Sequence, residues 1–408
     1  MDLFFNKIRT QNILFTFILL LIASLILGRA PLSILSVCMI VPVFFRKNHL
    51  PETRKIIIGL CLIIFPVVIS FFWSNNKYEW GQSVFTKIPF FTIIISIIYT
   101  SLNKQQLKQI VWLLTSIIFC GCIWSIVYYF FHFEEINHSY LVAKVMPTLM
   151  DNDHIRFSWL IVLNMILLSW QLFNNSSYAE RILGFLLLVF FFIFIHLLAA
   201  KTGLLSIYIA LFLTIIYFLF FSKQRKYGIG ILVAVFIISF FSYKLFPTFR
   251  NRIQYVTWDF KQYSNGIYLQ GSSDGGRVLS IKSGLSLTAA NPLLGVGFGD
   301  LRDETKDWYV LNFPNINAGD RFIPQTAFLV YSAASGMVGL LFFLVGVYLL
   351  IRSFLFKNLF AIMITAVLIL PLFIDDCFEG QFPVVIFSLM FGLAIAQKKL
   401  YHNSSVKY

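Results

Sequence analysis

The segment Ser272–Asp300 reads SSDGGRVLSIKSGLSLTAANPLLGVGFGD and lies in the one long polar interval of an otherwise apolar chain. It opens on turn residues, and Ser272, Ser273 or Asp274 can each cap a helix. Val278, Ile281 and Leu285 then recur on one helical face, with Ser280 and Lys282 off it. Asn291-Pro292 ends that helix. Gly295, Gly297 and Gly299 follow as a flexible turn that closes on Asp300. Arg277 falls in the first helical turn, where the positive end of the helix dipole disfavours a cation. Two readings stand for it. One is a solvated arginine on an amphipathic helix at a membrane surface. The other is part of an anion site, because free backbone N–H groups and a guanidinium together suit one phosphate.

Around this interval the composition is that of a membrane protein. Of 408 residues, 59% are hydrophobic and 12% charged, and Phe alone occurs 47 times. A soluble domain is nearer half apolar and about a quarter charged. The expected fold is therefore all-α and polytopic, one membrane domain over residues 1–408 with no sizeable soluble domain. Cys38, Cys61, Cys120 and Cys122 sit inside apolar runs and Cys377 stands alone at a span end. They read as core thiols, with no metal-ligand spacing. The first apolar run, Ile13–Leu27, lacks a small-residue cleavage site and reads as a retained span.

Apolar run lengths and the placement of Lys and Arg predict about 12 spans. They run over about 12–28, 31–45, 56–73, 88–102, 110–132, 157–173, 182–200, 203–222, 228–246, 325–351, 359–374 and 382–397. A long loop, about 247–324, separates spans 9 and 10, and its turn signals predict short helices within it. Arg46-Lys47, Arg54-Lys55, Lys104, Lys108, Arg181, Lys223, Arg225, Lys226, Arg352, Lys357 and Lys398-Lys399 all fall on one side. The positive-inside rule puts that side, with both termini, in the cytoplasm and the long loop outside. The net charge of +14 suits loops that meet anionic headgroups. It does not suit nucleic acid, because the basic residues are dispersed over many loops and form no stripe.

The outer face collects nearly all the acids and much of the remaining charge. Its long loop carries Arg250, Arg252, Lys261, Arg277, Lys282, Arg302, Lys306 and Arg321 beside Tyr255, Trp258, Tyr263, Tyr268, Trp308 and Tyr309. Guanidinium forks suit phosphates and aromatic planes suit sugars; ordinary solvated charges are the other reading. Lys201 sits between two long apolar runs. It either snorkels or faces a cavity and holds an anion at headgroup level. His196, one turn earlier, reads as a hydrogen-bonded core histidine. Asp153, His154 and Arg156 are either an interfacial anchor or another wall of the same anion site. Asp375, Asp376 and Glu379 are either solvated acids or supply a general base for a sugar hydroxyl.

Arg277, the helix after it and Asn291-Pro292-Leu293-Leu294-Gly295-Val296-Gly297 resemble the signature of the O-antigen ligase and O-antigen polymerase superfamily. The stretches NDHIRFS at 152–158, AAKTGLLS at 199–206 and PQTAFLVYSAASGMVGLL at 324–341 agree with it. The resemblance covers about 150 to 397, with hydropathy alone in support before that. It implies a metal-independent, inverting glycosyltransferase of the bacterial inner membrane, without a cofactor. Such an enzyme joins a glycan from undecaprenyl diphosphate to an acceptor sugar on the periplasmic side. The acceptor is lipid A-core in a ligase and a growing glycan in a polymerase. Carried over, Arg277 is one diphosphate cation and Lys201 stands where an Arg is expected, keeping the charge but losing the fork. The expected His-Asn pair falls at Gln325-Thr326, and Gln is no base. The acceptor proton then goes to His154, Asp320 or Glu379, or the acceptor differs as in a polymerase. Arg156, Asp153, Arg250, Arg252, Arg321 and Asp320 complete the candidate substrate-binding set. A transporter or flippase of a polar or anionic substrate is the reading from another class; a non-catalytic envelope scaffold is a third.

Overall fold

The computed structural model describes residues 2–44, 54–100, 102–174, 176–267, 273–354 and 359–405. Arg46-Lys47, Tyr268, Ser272 and Lys357 lie outside these. Among the described residues the structure is helical, without strands. The first half comprises α1 (Asp2–Leu27), α2 (Arg29–Cys38), α3 (Val41–Phe44), α4 (Arg54–Ile69), α5 (Lys77–Thr100), α6 (Lys104–Phe131), α7 (Phe133–Ser139) and α8 (His154–Asn174). The second comprises α9 (Tyr178–Leu198), α10 (Lys201–Ile216), α11 (Arg225–Leu245), α12 (Pro247–Ser264), α13 (Ser273–Ala290), α14 (Leu301–Asn312), α15 (Ala327–Phe354), α16 (Leu359–Ile374) and α17 (Gln381–Ser405).

Ten of these helices are long and apolar enough to cross a membrane, and Arg29–Phe44 and Leu359–Ile374 form two shorter apolar helical stretches. A helix is the form in which such runs satisfy their backbone without water. Capping boxes start two of them: Asn103 with Gln106 at α6, and Ser177 with Glu180 at α9. Lys108 reaches Glu180 at 2.6 Å and ties those two starts together. The interval 247–324 holds α12, α13 and α14, of which the first two, at 18 residues each, are longer than the short helices expected there.

The centre of the bundle is α8 and α17, 78% and 83% of whose spanning residues are buried. α17 packs on α5, and α4 packs on α15. The second pair meets at glycines: a Cβ on Gly346 would lie 2.7 Å from the Gly59 carbonyl oxygen. Removing side chains is how helices approach closely where no hydrophobic effect drives them together.

α15 is broken at Gly336 (φ +66°, ψ −171°). The segment after α13 fills the break. Val296 and Gly297 N–H groups donate to the Ala333 and Ala334 carbonyls at 2.9 and 2.8 Å, and Met337 N–H donates to Pro292 O at 2.8 Å. Asp300 accepts from the N–H groups of Asn75 and Asn76, both at 2.7 Å. The glycine run is thus a fixed brace between the α4–α5 turn and the interrupted α15. The expectation of a flexible turn is corrected, because its glycines supply close approach where side chains would overlap the Ala334 and Asn76 backbone.

The expected apolar face of α13 is also corrected. Leu279, Ser280, Ser283, Gly284 and Leu287 are buried, while Leu285 is exposed. Small residues win the buried side because α13 lies directly on α15 and the chain before it; a Cβ on Gly284 would stand 2.9 Å from Pro324. Of the cysteines, Cys122 and Cys377 are buried, Cys38 is intermediate, and Cys61 and Cys120 are on exposed helix faces.

Candidate active site

Three helix starts converge at one end of the bundle. α9 ends at Leu198, where Ala199 (φ +48°) and the extended Ala200 turn the chain so that Lys201 opens α10. His154 opens α8 after three successive left-handed residues, Met150, Asp151 and Asn152, at φ +67°, +56° and +62°. Each such residue costs about 1–3 kcal/mol and persists only where its surroundings fix it. Asp153 N–H to Met150 O at 3.0 Å and His154 N–H to Asn152 O at 2.9 Å do the fixing. α8 and α10 are so close that a Cβ on Gly203 would lie 2.5 Å from the Ser158 Cβ. The third start is that of α13 at Ser273.

Lys201 spans the gap between α10 and α13. Its Nζ lies 2.6 and 2.7 Å from the two carboxylate oxygens of Asp274 and 3.4 Å from Ser273 Oγ. The two side chains are only 25% and 30% exposed, so Lys201 turns inward to α13 instead of snorkelling. Asp274, read from the sequence only as a cap, is the partner that reading missed. The signal was an acid three residues before Arg277 in a glycine turn.

Arg252, on α12, is 7% exposed, and its Nε and Nη1 have no hydrogen-bond partner. Its guanidinium carbon lies 5.7 Å from the centroid of the Tyr255 ring. Burial pushes its pKa down from the usual arginine value, opposed by Tyr140 and Asp274. Arg277 is half-buried and forms no ion pair among the described residues. Lys201, Arg252 and Arg277 lie within electrostatic reach of one another. His154 lies within reach of Arg252, Arg277 and Arg156.

The scaffold holds these groups by side-chain bonds to helix ends. Thr248 Oγ1 donates to Leu197 O at 2.6 Å, Asn251 Nδ2 to Asn137 O at 2.8 Å, and Tyr140 OH to Leu198 O at 2.7 Å. They dock α12 and the α7 turn on the α9 end. From α12, Tyr255 OH accepts from Ser273 N–H at 3.1 Å and Asp259 from Asp274 N–H at 2.8 Å, fixing the α13 start. Gln325 N–H donates to Ser280 Oγ at 3.2 Å, one turn from Arg277, and Gln325 Oε1 is buried without a partner.

The other candidates make contacts of their own. Arg156 joins three carboxylates: Nη2 to Asp375 at 2.8 Å and Asp376 at 3.4 Å, and Nη1 to Asp153 at 3.6 Å. Asp375 is buried and Asp153 and Asp376 are partly exposed; burial raises the Asp153 carboxyl, and burial with Asp375 alongside raises Asp376 to about 8. Glu379 is committed to Lys87 at 2.8 Å, with Lys87 fully buried. The span expected over about 88–102 stops short of Lys87; α5 begins at Lys77, ten residues before it, and takes it inside. Arg250 is exposed, away from the buried face that Arg252 occupies. Arg321 bonds its own loop, Nε to Ile316 O at 3.1 Å, and Asp320 sits in the same turn. His196 is a buried histidine, bonded to Phe192 O and Tyr208 OH at 2.8 Å each.

A family model described as O-antigen ligase matches residues 185–344. The matched stretch includes Lys201, Arg252, Arg277, Gln325 and the glycine brace; His154, Arg156, Asp375, Asp376 and Glu379 fall outside it. No curated protein matches the chain. The match over residues 185–344, in a chain with ten helices long and apolar enough to cross a membrane, supports a likeness to the O-antigen ligase and polymerase superfamily over somewhat less than half of the chain.

Proposed function

We propose that this protein transfers a glycan from undecaprenyl diphosphate to an acceptor sugar, as a ligase with lipid A-core as acceptor. The observation that carries the reading is the gathering of Lys201, Arg252 and Arg277 around a single paired carboxylate, Asp274. In such a transfer the bond between the sugar C1 and the phosphate oxygen breaks as the acceptor hydroxyl attacks from the opposite face. Negative charge then grows on the departing diphosphate. Preorganised cations in a site shielded from water stabilise that charge more than they stabilise the bound donor. The transfer is read as inverting and metal-independent. Of the groups weighed for the acceptor proton, His154 lies within reach of Arg252 and Arg277.

The proposed setting is a bacterial inner membrane crossed 12 times, with both termini cytoplasmic and 247–324 periplasmic. The partners are the lipid-linked donor, the acceptor glycan and membrane lipids. Gln325 at the position where the superfamily signature has His favours a second reading, a repeat-unit polymerase of the same kind. A deletion strain tests both. Full-length glycan accumulating on the lipid carrier supports the ligase; one repeat unit on lipid A-core without longer chains supports the polymerase. An unchanged glycan profile overturns both, and substrate uptake by proteoliposomes without glycan transfer points to transport instead.

A further inference from the structure

We infer that Asp274 is a displaceable stand-in for the donor's diphosphate, and that Arg252 is a third cation held in reserve for it. The inference rests on the anion-transfer reading above. A single ammonium within 2.7 Å of both carboxylate oxygens makes the contact that a phosphate makes with two of its oxygens. Arg252 is buried with Nε and Nη1 empty, a condition that costs free energy unless an acceptor arrives. Its own element supplies no carboxylate to those atoms. Asp259, on the same helix, is occupied by Asp274 N–H. The acid nearest in electrostatic terms is Asp274, which faces Lys201.

The donor thus meets a closed latch. A diphosphate carries more charge than one carboxylate and reaches several cations at once. It takes Lys201 from Asp274 and engages Arg252 and Arg277 together. Asp274, in the first turn of α13, then remains near helix N–H groups that tolerate an acid. The latch keeps three cations from repelling one another until the donor arrives, and it sets a threshold that a monophosphate does not cross as readily.

Purified full-length protein in detergent provides the test, with undecaprenyl diphosphate and inorganic orthophosphate as probes. Asp274→Asn removes the competing charge and is expected to tighten diphosphate binding about tenfold, the size of one charge-assisted hydrogen bond. The preference over orthophosphate should narrow. Arg252→Gln is expected to weaken binding about tenfold or more and to lower kcat as well, since the same guanidinium meets the developing charge, with Arg252→Lys recovering part. Should Asp274→Asn fail to fold, Asp274→Ser, which keeps a residue suited to a helix start, takes its place. Diphosphate binding that is unchanged or weaker in a folded Asp274 variant overturns the latch, as does binding indifferent to Arg252→Gln. If the variants shift binding as expected while the parent transfers no glycan, the enzyme reading fails and the latch stands. If transfer is found and Asp274 variants do not tighten binding, the latch fails alone.

Discussion

Lys87 Nζ lies 2.8 Å from Glu379 Oε1 with the lysine wholly shielded from solvent. The pair joins α5 to the turn before α17, and the ammonium also faces the Phe298 ring at 5.2 Å, so the glycine brace, too, touches it. Removing one partner leaves a buried charge uncompensated, which costs about 3–5 kcal/mol. Glu379→Gln is therefore expected to lower the melting temperature in detergent sharply. A Lys87→Met, Glu379→Leu double variant should recover most of it and retain glycan transfer. Loss of transfer in the stable double variant would show that Glu379 takes part in the chemistry.

Neighbouring arginines separate the site from its surroundings. Arg277→Ala should reduce transfer about a hundredfold or more, as loss of a preorganised donor to developing charge does, with the melting temperature little changed. Lys201→Arg should retain activity. Arg250→Ala, at an exposed position two residues from Arg252, should leave transfer within about twofold, surface changes being small. Lipopolysaccharide profiles of complemented deletion strains read all three.

Gly336→Ala tests the brace. The position has φ +66°, and a Cβ there would overlap the Leu293 carbonyl. Strain and overlap together should cost about 2 kcal/mol or more. Reduced yield and a lower melting temperature are expected, with donor affinity preserved in the protein that survives.

The Arg156 cluster predicts a pH dependence. Burial and Asp375 hold the Asp376 carboxyl up to about 8, against about 3.9 in an unfolded chain. A carboxyl raised on folding favours the fold while protonated. That contribution is complete below about 4 and is lost as pH climbs to about 8, with no further change above. Melting curves from pH 5 to pH 9 should show the decline, and Asp376→Asn should flatten it. A parent curve that rises across this range would contradict the assignment.

Much of this architecture is legible in the chain. Long apolar runs specify their own helices, since unpaired backbone is intolerable in hydrocarbon, and the proline at 292 and the caps at 103 and 177 mark ends by local chemistry. Local chemistry does not reveal which face of α13 is buried. Val278, Ile281 and Leu285 look like a core stripe, yet glycine and serine take the packed side because α13 approaches Pro324 and Leu329 too closely for larger side chains. Nor could spacing show that Lys201 meets Asp274, or Lys87 Glu379, because the partners are 73 and 292 residues apart. Arg277 was visible as a misfit, a cation where a helix start disfavours it, and Lys201 as a cation between two long apolar runs. Arg252 looked like any loop arginine until its burial singled it out.

The most enclosed helix of the bundle, α17, covers surfaces of α5 and α8. Stripped of it, those surfaces would meet lipid, which does not drive helices together, so the close packing that sets the spacing of their ends would be lost. A chain cut short ahead of α17 is therefore expected to be membrane-embedded but unassembled, a substrate for quality-control proteolysis and not a partly active enzyme.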